Sequence, residues 1–205
     1  MLRVAVHVGA LLPLMILIWE HFTGGLTANP VQAVQLHTGK TALNLLLLSL
    51  TCTPVYIISG FSPVLTLRRT LGMYAFLYAT LHVFNFFGID YSFNLTYIRE
   101  DALLEKPYIL AGLAAFLLLV PLAITSTKGW LRRMGTRNWR ILHSLVYVAA
   151  ILVVTHFIWQ TKADIHLPLI YGGALLVLLA IRLPFIKNLI IRHTARLHNL
   201  TAGNI

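Results

Sequence analysis

The sequence predicts an all-α integral membrane protein, a six-helix transmembrane bundle with both termini in the cytoplasm. Three observations carry that prediction. Hydrophobic residues make up 58% of the 205-residue chain and charged residues only 11%, whereas soluble domains carry about 25% charged residues. Six apolar runs approach or exceed the length needed to cross a ~30 Å hydrocarbon core. The basic residues collect at alternate ends of those runs, which is the pattern that sets orientation.

The first run, Val4–Phe22, is longer than the apolar core of a secretory signal and no A-x-A-like site follows it, so it reads as a retained helix. Ala42–Ile58, Leu71–Ile89, Tyr108–Thr125 and Ile141–Trp159 follow as spans two to five. The sixth, Pro168–Phe185, is interrupted by Arg182, which reads as snorkelling from a helix end. Pro13, Pro54 and Pro121 fall inside spans, where neighbours must satisfy the carbonyls they free. Thr23–Thr41 and Asp90–Pro107 read as the longer connecting loops, the second with an apolar-aromatic half and an acidic half.

With the N-terminus in the cytoplasm, only Lys40, Arg99, Lys106 and Lys162 of the 16 basic residues fall outside. All six acids fall outside with them. The net charge of +10 is then a topology signal that also favours anionic membrane lipids, and it does not imply nucleic acid. The single cysteine, Cys52, lies in an apolar run, and its being alone excludes an internal disulfide or a cysteine-ligated cluster. No glycine-rich phosphate loop is present, and the cytoplasmic segments are too short for a nicotinamide-binding βαβ domain. Residues 1–205 therefore read as a single membrane domain, and any reducing equivalents must come from the membrane pool or from another protein.

Nine histidines need sorting. His193, His198 and His166 read as solvated, and His21 and His37 as interfacial. His82 in the third span, and His143 and His156 in the fifth, are deep. Thirteen positions separate the last two, ~20 Å along a helix axis. A ring nitrogen at such depth needs a partner. No acid lies within a span except Glu20 at the outer end of the first. Intramembrane imidazoles without acids point to metal ligation rather than a proton relay, and they count against a solute or proton transporter.

Counted from the helix centres, His82 and His156 differ by ~6 Å in height, and His82 and His143 by about twice that. His82 and His156 are thus the better bis-histidine haem pair. His143 lies further in, where His7 is the only histidine at suitable depth. His143 and His156 also stand about 140° apart around an ideal helix, so two haems would approach it from different sides. Iron between two imidazoles has no open position and favours one-electron transfer. Ser144, Thr155 and Asn85 are candidate partners for the far ring nitrogens.

The stretches RRTLGMYAFLYATLH (68–82) and PLAITSTKGWLRRMGTRNWRILHSLVYV (121–148), with the return His156, resemble the ferric-reductase-like transmembrane domain. With GGLTANPVQAVQLHTGKTAL (24–43) and KPYILAGL (106–113), the whole length resembles the MsrQ (YedZ) family. The resemblance implies a haem-binding subunit of the bacterial inner membrane that serves a periplasmic methionine-sulfoxide reductase system. Electrons would pass from the quinone pool, or from a flavin-reductase donor, to a molybdopterin-containing periplasmic partner that repairs oxidised proteins. Catalysis would reside in that partner. The implied cofactors are haem b and FMN, and the family's haem histidines fall on His82, His143 and His156. Larger superfamily members carry a second histidine thirteen or fourteen residues before the position of His82, where this chain has Arg69 and Arg68. Arg68, Arg69, Arg132 and Arg133 are implied contacts for haem propionates or an FMN phosphate, the alternative being headgroup contact. A ferric reductase-type cytochrome is the nearest other reading.

Overall fold

The computed structural model describes residues 2–100, 105–161 and 164–190, and these are helical throughout apart from short connections. Helix α1 spans Leu2–Thr23. Helix α2 spans Pro30–Ser59, because Asn29 caps it by accepting from the Gln32 N–H at 3.1 Å and Pro30 takes the first helical position. It thereby absorbs most of the expected loop Thr23–Thr41. Gln32, Gln35, His37, Thr38 and Lys40 lower the hydropathy of that stretch without breaking the helix. Gly60, at φ 70°, closes α2 in the left-handed conformation.

Helix α3 (Val64–Phe84) widens into a π-helical turn at Asn85–Asp90, and a single turn, α4 (Leu95–Tyr97), follows. Helices α5 (Pro107–Ile124) and α6 (Lys128–Gln160) form the second long hairpin. Helix α7 covers His166–Ala180, and a short helix, Pro184–Ile190, leaves it at 78°. The sixth span therefore differs from its expected form. Fifteen helical residues reach only ~22 Å, and the path is completed by a bent pair rather than by one helix to Phe185. Among the described residues, five helices are long and apolar enough to cross a membrane, or six with the bent pair counted as one span. The chain is a multi-pass membrane protein.

α2 packs chiefly on α3 and α5 chiefly on α6, with α3 joining the two hairpins through α5. Ala75, Ala115, Ala149 and Ala150 are at most 1% exposed, and such small side chains let helix backbones approach closely. The outer faces are apolar instead: Val4, Val8, Leu12, Met15 and Trp19 are all exposed along α1, as lipid contact requires. The Tyr78 hydroxyl docks α1 by accepting from Leu14 N–H at 3.0 Å and donating to the Ala10 carbonyl at 2.7 Å, beside Pro13. Cys52 is buried and free.

Pro54 has no N–H for the Leu50 carbonyl four residues earlier. The Arg182 Nη2 donates to that carbonyl instead, and its guanidinium lies 5.1 Å from the Tyr147 ring centroid. Arg182 therefore turns into the bundle and does not snorkel outward. Gly135 breaks α6 at φ 75° and ψ 156°, a region that glycine alone occupies readily. Gly135→Ala is expected to cost about 1–3 kcal/mol. The check is a lower unfolding midpoint in detergent, and an unchanged midpoint would count against the break.

Candidate cofactor site

Two cavities open along the bundle. The first, of about 350 Å³, lies between the hairpins toward the C-terminal ends of α3 and α6. Leu43, Leu46, Phe86 and Phe116 make it apolar, and His82 and His156 face each other across it with ring centroids 6.2 Å apart. Depth along the helices had already paired these two.

Each imidazole is held by the same device. The His82 Nδ1–H donates to the Gln35 carbonyl at 3.0 Å, and a Cβ on Gly39 would lie 2.9 Å from the ring. The His156 Nδ1–H donates to the Tyr108 carbonyl at 2.6 Å, and a Cβ on Gly112 would lie 2.7 Å from Nδ1. In both cases a helix offers a carbonyl at one position and a bare backbone four residues on, so the ring settles against one helical turn. Committing Nδ1 as donor leaves each Nε2 with its lone pair, the tautomer a metal ligand needs. A ring nitrogen sits ~2 Å from a bound first-row metal, which puts the centroids of two opposed imidazoles roughly 6 Å apart. The observed separation fits that arrangement.

The Gln35 side chain adds a second contact. Its amide nitrogen lies 3.2 Å from His82 Nε2 while its Oε1 accepts from Asn85 Nδ2 at 2.7 Å. The carboxamide would swing aside for a ligand on His82. Among the described residues no three His, Cys, Asp or Glu side chains converge on a metal position. Two imidazoles alone do not complete a coordination sphere, so the pair suits a group that brings its own equatorial donors.

The second cavity, of about 290 Å³, lies toward the basic end and is lined by Arg68, Arg69, Trp139, His143, Tyr147 and Arg182. The Thr125 hydroxyl donates to the Pro121 carbonyl at 2.6 Å, so its oxygen accepts from His143 Nε2–H at 3.1 Å. The Trp139 ring stacks on His143 at 3.8 Å, its Nε1–H bonded to the Thr125 carbonyl. His143 thus holds the opposite tautomer to the outer pair.

Several expected residues lie elsewhere. His7 bonds the Tyr74 hydroxyl at 2.8 Å and lines neither cavity, so it does not meet His143. Arg132 and Arg133 line neither cavity, and Arg133 instead rests 5.7 Å from the Trp130 ring centroid. Asn85 reaches His82 only through Gln35. Ser144 donates to the Ile141 carbonyl rather than to His143. His156 uses the Tyr108 carbonyl rather than Thr155. His193 and His198 lie outside the described residues. Gln35, Gly39, Tyr108, Gly112, Trp139 and Arg182 join the sites without having been singled out for them.

Residues 38–154, from just before Gly39 to two positions before His156, match the family described as ferric reductase like transmembrane component. A protein-methionine-sulfoxide reductase heme-binding subunit MsrQ from Xanthomonas axonopodis pv. citri is 44% identical over 186 residues, 88% of this chain and 84% of the relative. The chain belongs to the MsrQ family. The MsrQ of Rhodospirillum rubrum is 45% identical over 184 residues, 88% of this chain and 86% of its own. The MsrQ of Xanthomonas campestris pv. campestris extends the match to 203 residues at 41% identity, 96% of this chain and 91% of the relative. The similarity to MsrQ proteins thus runs through both hairpins and both cavities.

Proposed function

We propose that this chain is the haem-binding membrane subunit of a methionine-sulfoxide reductase system and carries electrons through the bilayer to a periplasmic partner. The observation that supports this most directly is the matched pair of cradles that commit Nδ1 of His82 and of His156 to a carbonyl, leaving each Nε2 free to accept, on two imidazoles that line one apolar cavity. His82 and His156 would hold a haem b, and Lys40 in the same lining supplies a cation for a propionate. Bound there, haem would supply one-electron redox chemistry without an open iron position. The chain's own part is to fix both tautomers, exclude water with Leu43, Leu46 and Phe116, and keep the site near the acidic end of the bundle.

The positive-inside bias supports cytoplasmic termini and the bacterial inner membrane, with the haem cavity toward the periplasmic face. A molybdopterin-containing reductase subunit would collect the electron there and repair oxidised proteins. The donor would be the quinone pool or a flavin reductase. FMN near Arg68 and Arg69, beside His143, is the second cofactor of this reading.

Protein purified from haem-replete cells in mild detergent should show the Soret band of low-spin bis-imidazole haem. Once reduced, it should be reoxidised by the periplasmic subunit only when methionine sulfoxide is supplied. A colourless preparation that takes up no added haemin would refute the proposal.

A further inference from the structure

Gln35 touches both nitrogens of one imidazole. Its backbone carbonyl accepts from His82 Nδ1–H at 3.0 Å, and its side-chain Nε2 donates to His82 Nε2 at 3.2 Å. Among the described residues, His156 has only the first kind of contact, made to the Tyr108 carbonyl. A neutral ring nitrogen offers one lone pair, so the Gln35 amide and an iron on His82 are alternatives. The amide is held from behind by Asn85, whose Nδ2 donates to Gln35 Oε1 at 2.7 Å and to the Val31 carbonyl at 3.1 Å. Asn85 is only 2% exposed, yet its Oδ1 has no partner among the described residues. Leaving a buried acceptor open in this way is costly. Asn85 also begins the π-helical turn Asn85–Asp90, and such widened turns are frequent at functional sites.

We propose that Gln35 is a two-position latch on the outer site and that Asn85 is its catch. In the first position the Gln35 amide nitrogen occupies the His82 lone pair. In the second, the amide pivots about its existing bond to Asn85 Nδ2 until its nitrogen donates to Asn85 Oδ1. The two carboxamides then form a closed pair with two hydrogen bonds, and Asn85 keeps its other N–H on Val31. His82 Nε2 is thereby released for the iron, and the open acceptor is filled. One hydrogen bond is exchanged for another, so Gln35 governs how readily the site loads and Asn85 how firmly it holds. This rests on the ligation by His82 proposed above and adds the side chains that control it.

The haem-loaded full chain in mild detergent is stripped by excess apomyoglobin and then reloaded with haemin, with the Soret band followed in both phases. N85L, which lacks the catch, should lose haem at least about fivefold faster than wild type, as expected for one lost hydrogen bond. In a Q35L background the same change should add nothing, because no amide remains to be caught. Q35L alone should reload at least about threefold faster than wild type, a gain that a merely structural residue would not give. That measurement carries the test should N85L fail to fold. Q32L, which removes another carboxamide from the same lining, should match wild type in both phases.

Reloading of Q35L no faster than wild type would overturn the proposal. So would wild-type haem release from a folded N85L, or an N85L effect of equal size with and without Gln35. Failure of the wild-type chain to take up haemin, or unchanged release from His82→Ala, is a different result: it would sink the ligation itself and the latch with it.

Discussion

Replacing either His82 or His156 by alanine is expected to strip most of the haem from the purified protein. His82 and His156 are the two histidines in the lining of the outer cavity, and among the described residues no group of three His, Cys, Asp or Glu side chains is placed to hold a metal. The loss should be nearly complete for either variant, because a single remaining imidazole leaves the opposite face of the cavity open. His143→Ala should keep the outer haem, since His143 lines the other cavity. Pyridine haemochrome content per chain, with circular dichroism as the check on folding, measures this. Wild-type haem in either outer variant would remove that residue from the ligand set. Added imidazole should restore part of the band in His156→Ala, a rescue that a merely unfolded protein would not show.

The second large effect is expected from a single methyl group. Gly112→Ala places a Cβ 2.7 Å from His156 Nδ1, and Gly39→Ala places one 2.9 Å from the His82 ring. Neither contact can be relieved by a flexible chain end, because the opposing atoms belong to rings pinned to the carbonyls of Tyr108 and Gln35. The ring must tilt and lose its hydrogen bond, or the helices must part. Outer-shell changes of this kind typically cost 10–100-fold in metal affinity, so haem retention should fall by about that factor, more for Gly112 than for Gly39. Gly173→Ala is the control, because nothing lies within 4 Å of the added carbon. Haem content in Gly112→Ala equal to that in Gly173→Ala would dissolve the cradle.

Much of this arrangement is legible before any coordinates. Long apolar runs place five spans well, because a helix crossing lipid has to satisfy its backbone internally and advertises itself by length. The pairing of His82 with His156 follows from depth alone, since height along a helix is linear in residue number. The glycine cradles are not legible that way. Gly39 and Gly112 acquire their meaning only once α2 is known to pack on α3 and α5 on α6, and tertiary pairing is not written into either helix. The early start of α2 was hidden because its polar residues depress hydropathy, although the Asn-Pro pair at 29–30 is a helix-start signal in its own right. The inward turn of Arg182 is illegible for a related reason. Its partner is a carbonyl orphaned by a proline more than a hundred residues away in sequence. Arg132 and Arg133 share the charge of Arg68 and Arg69 but not their helix, and charge alone does not distinguish a cavity wall from a headgroup contact.

The matched cradles have a consequence for how the protein comes together. Each imidazole is oriented wholly within one helix pair, by a neighbour reached across a single short connection, and neither pair needs the other to set its ligand. On the proposed ligation, the halves could be completed separately as they enter the bilayer, and a porphyrin would then meet two prealigned jaws. Biogenesis of such a protein is a docking problem, in which the prosthetic group clamps finished pieces together rather than moulding an unformed pocket.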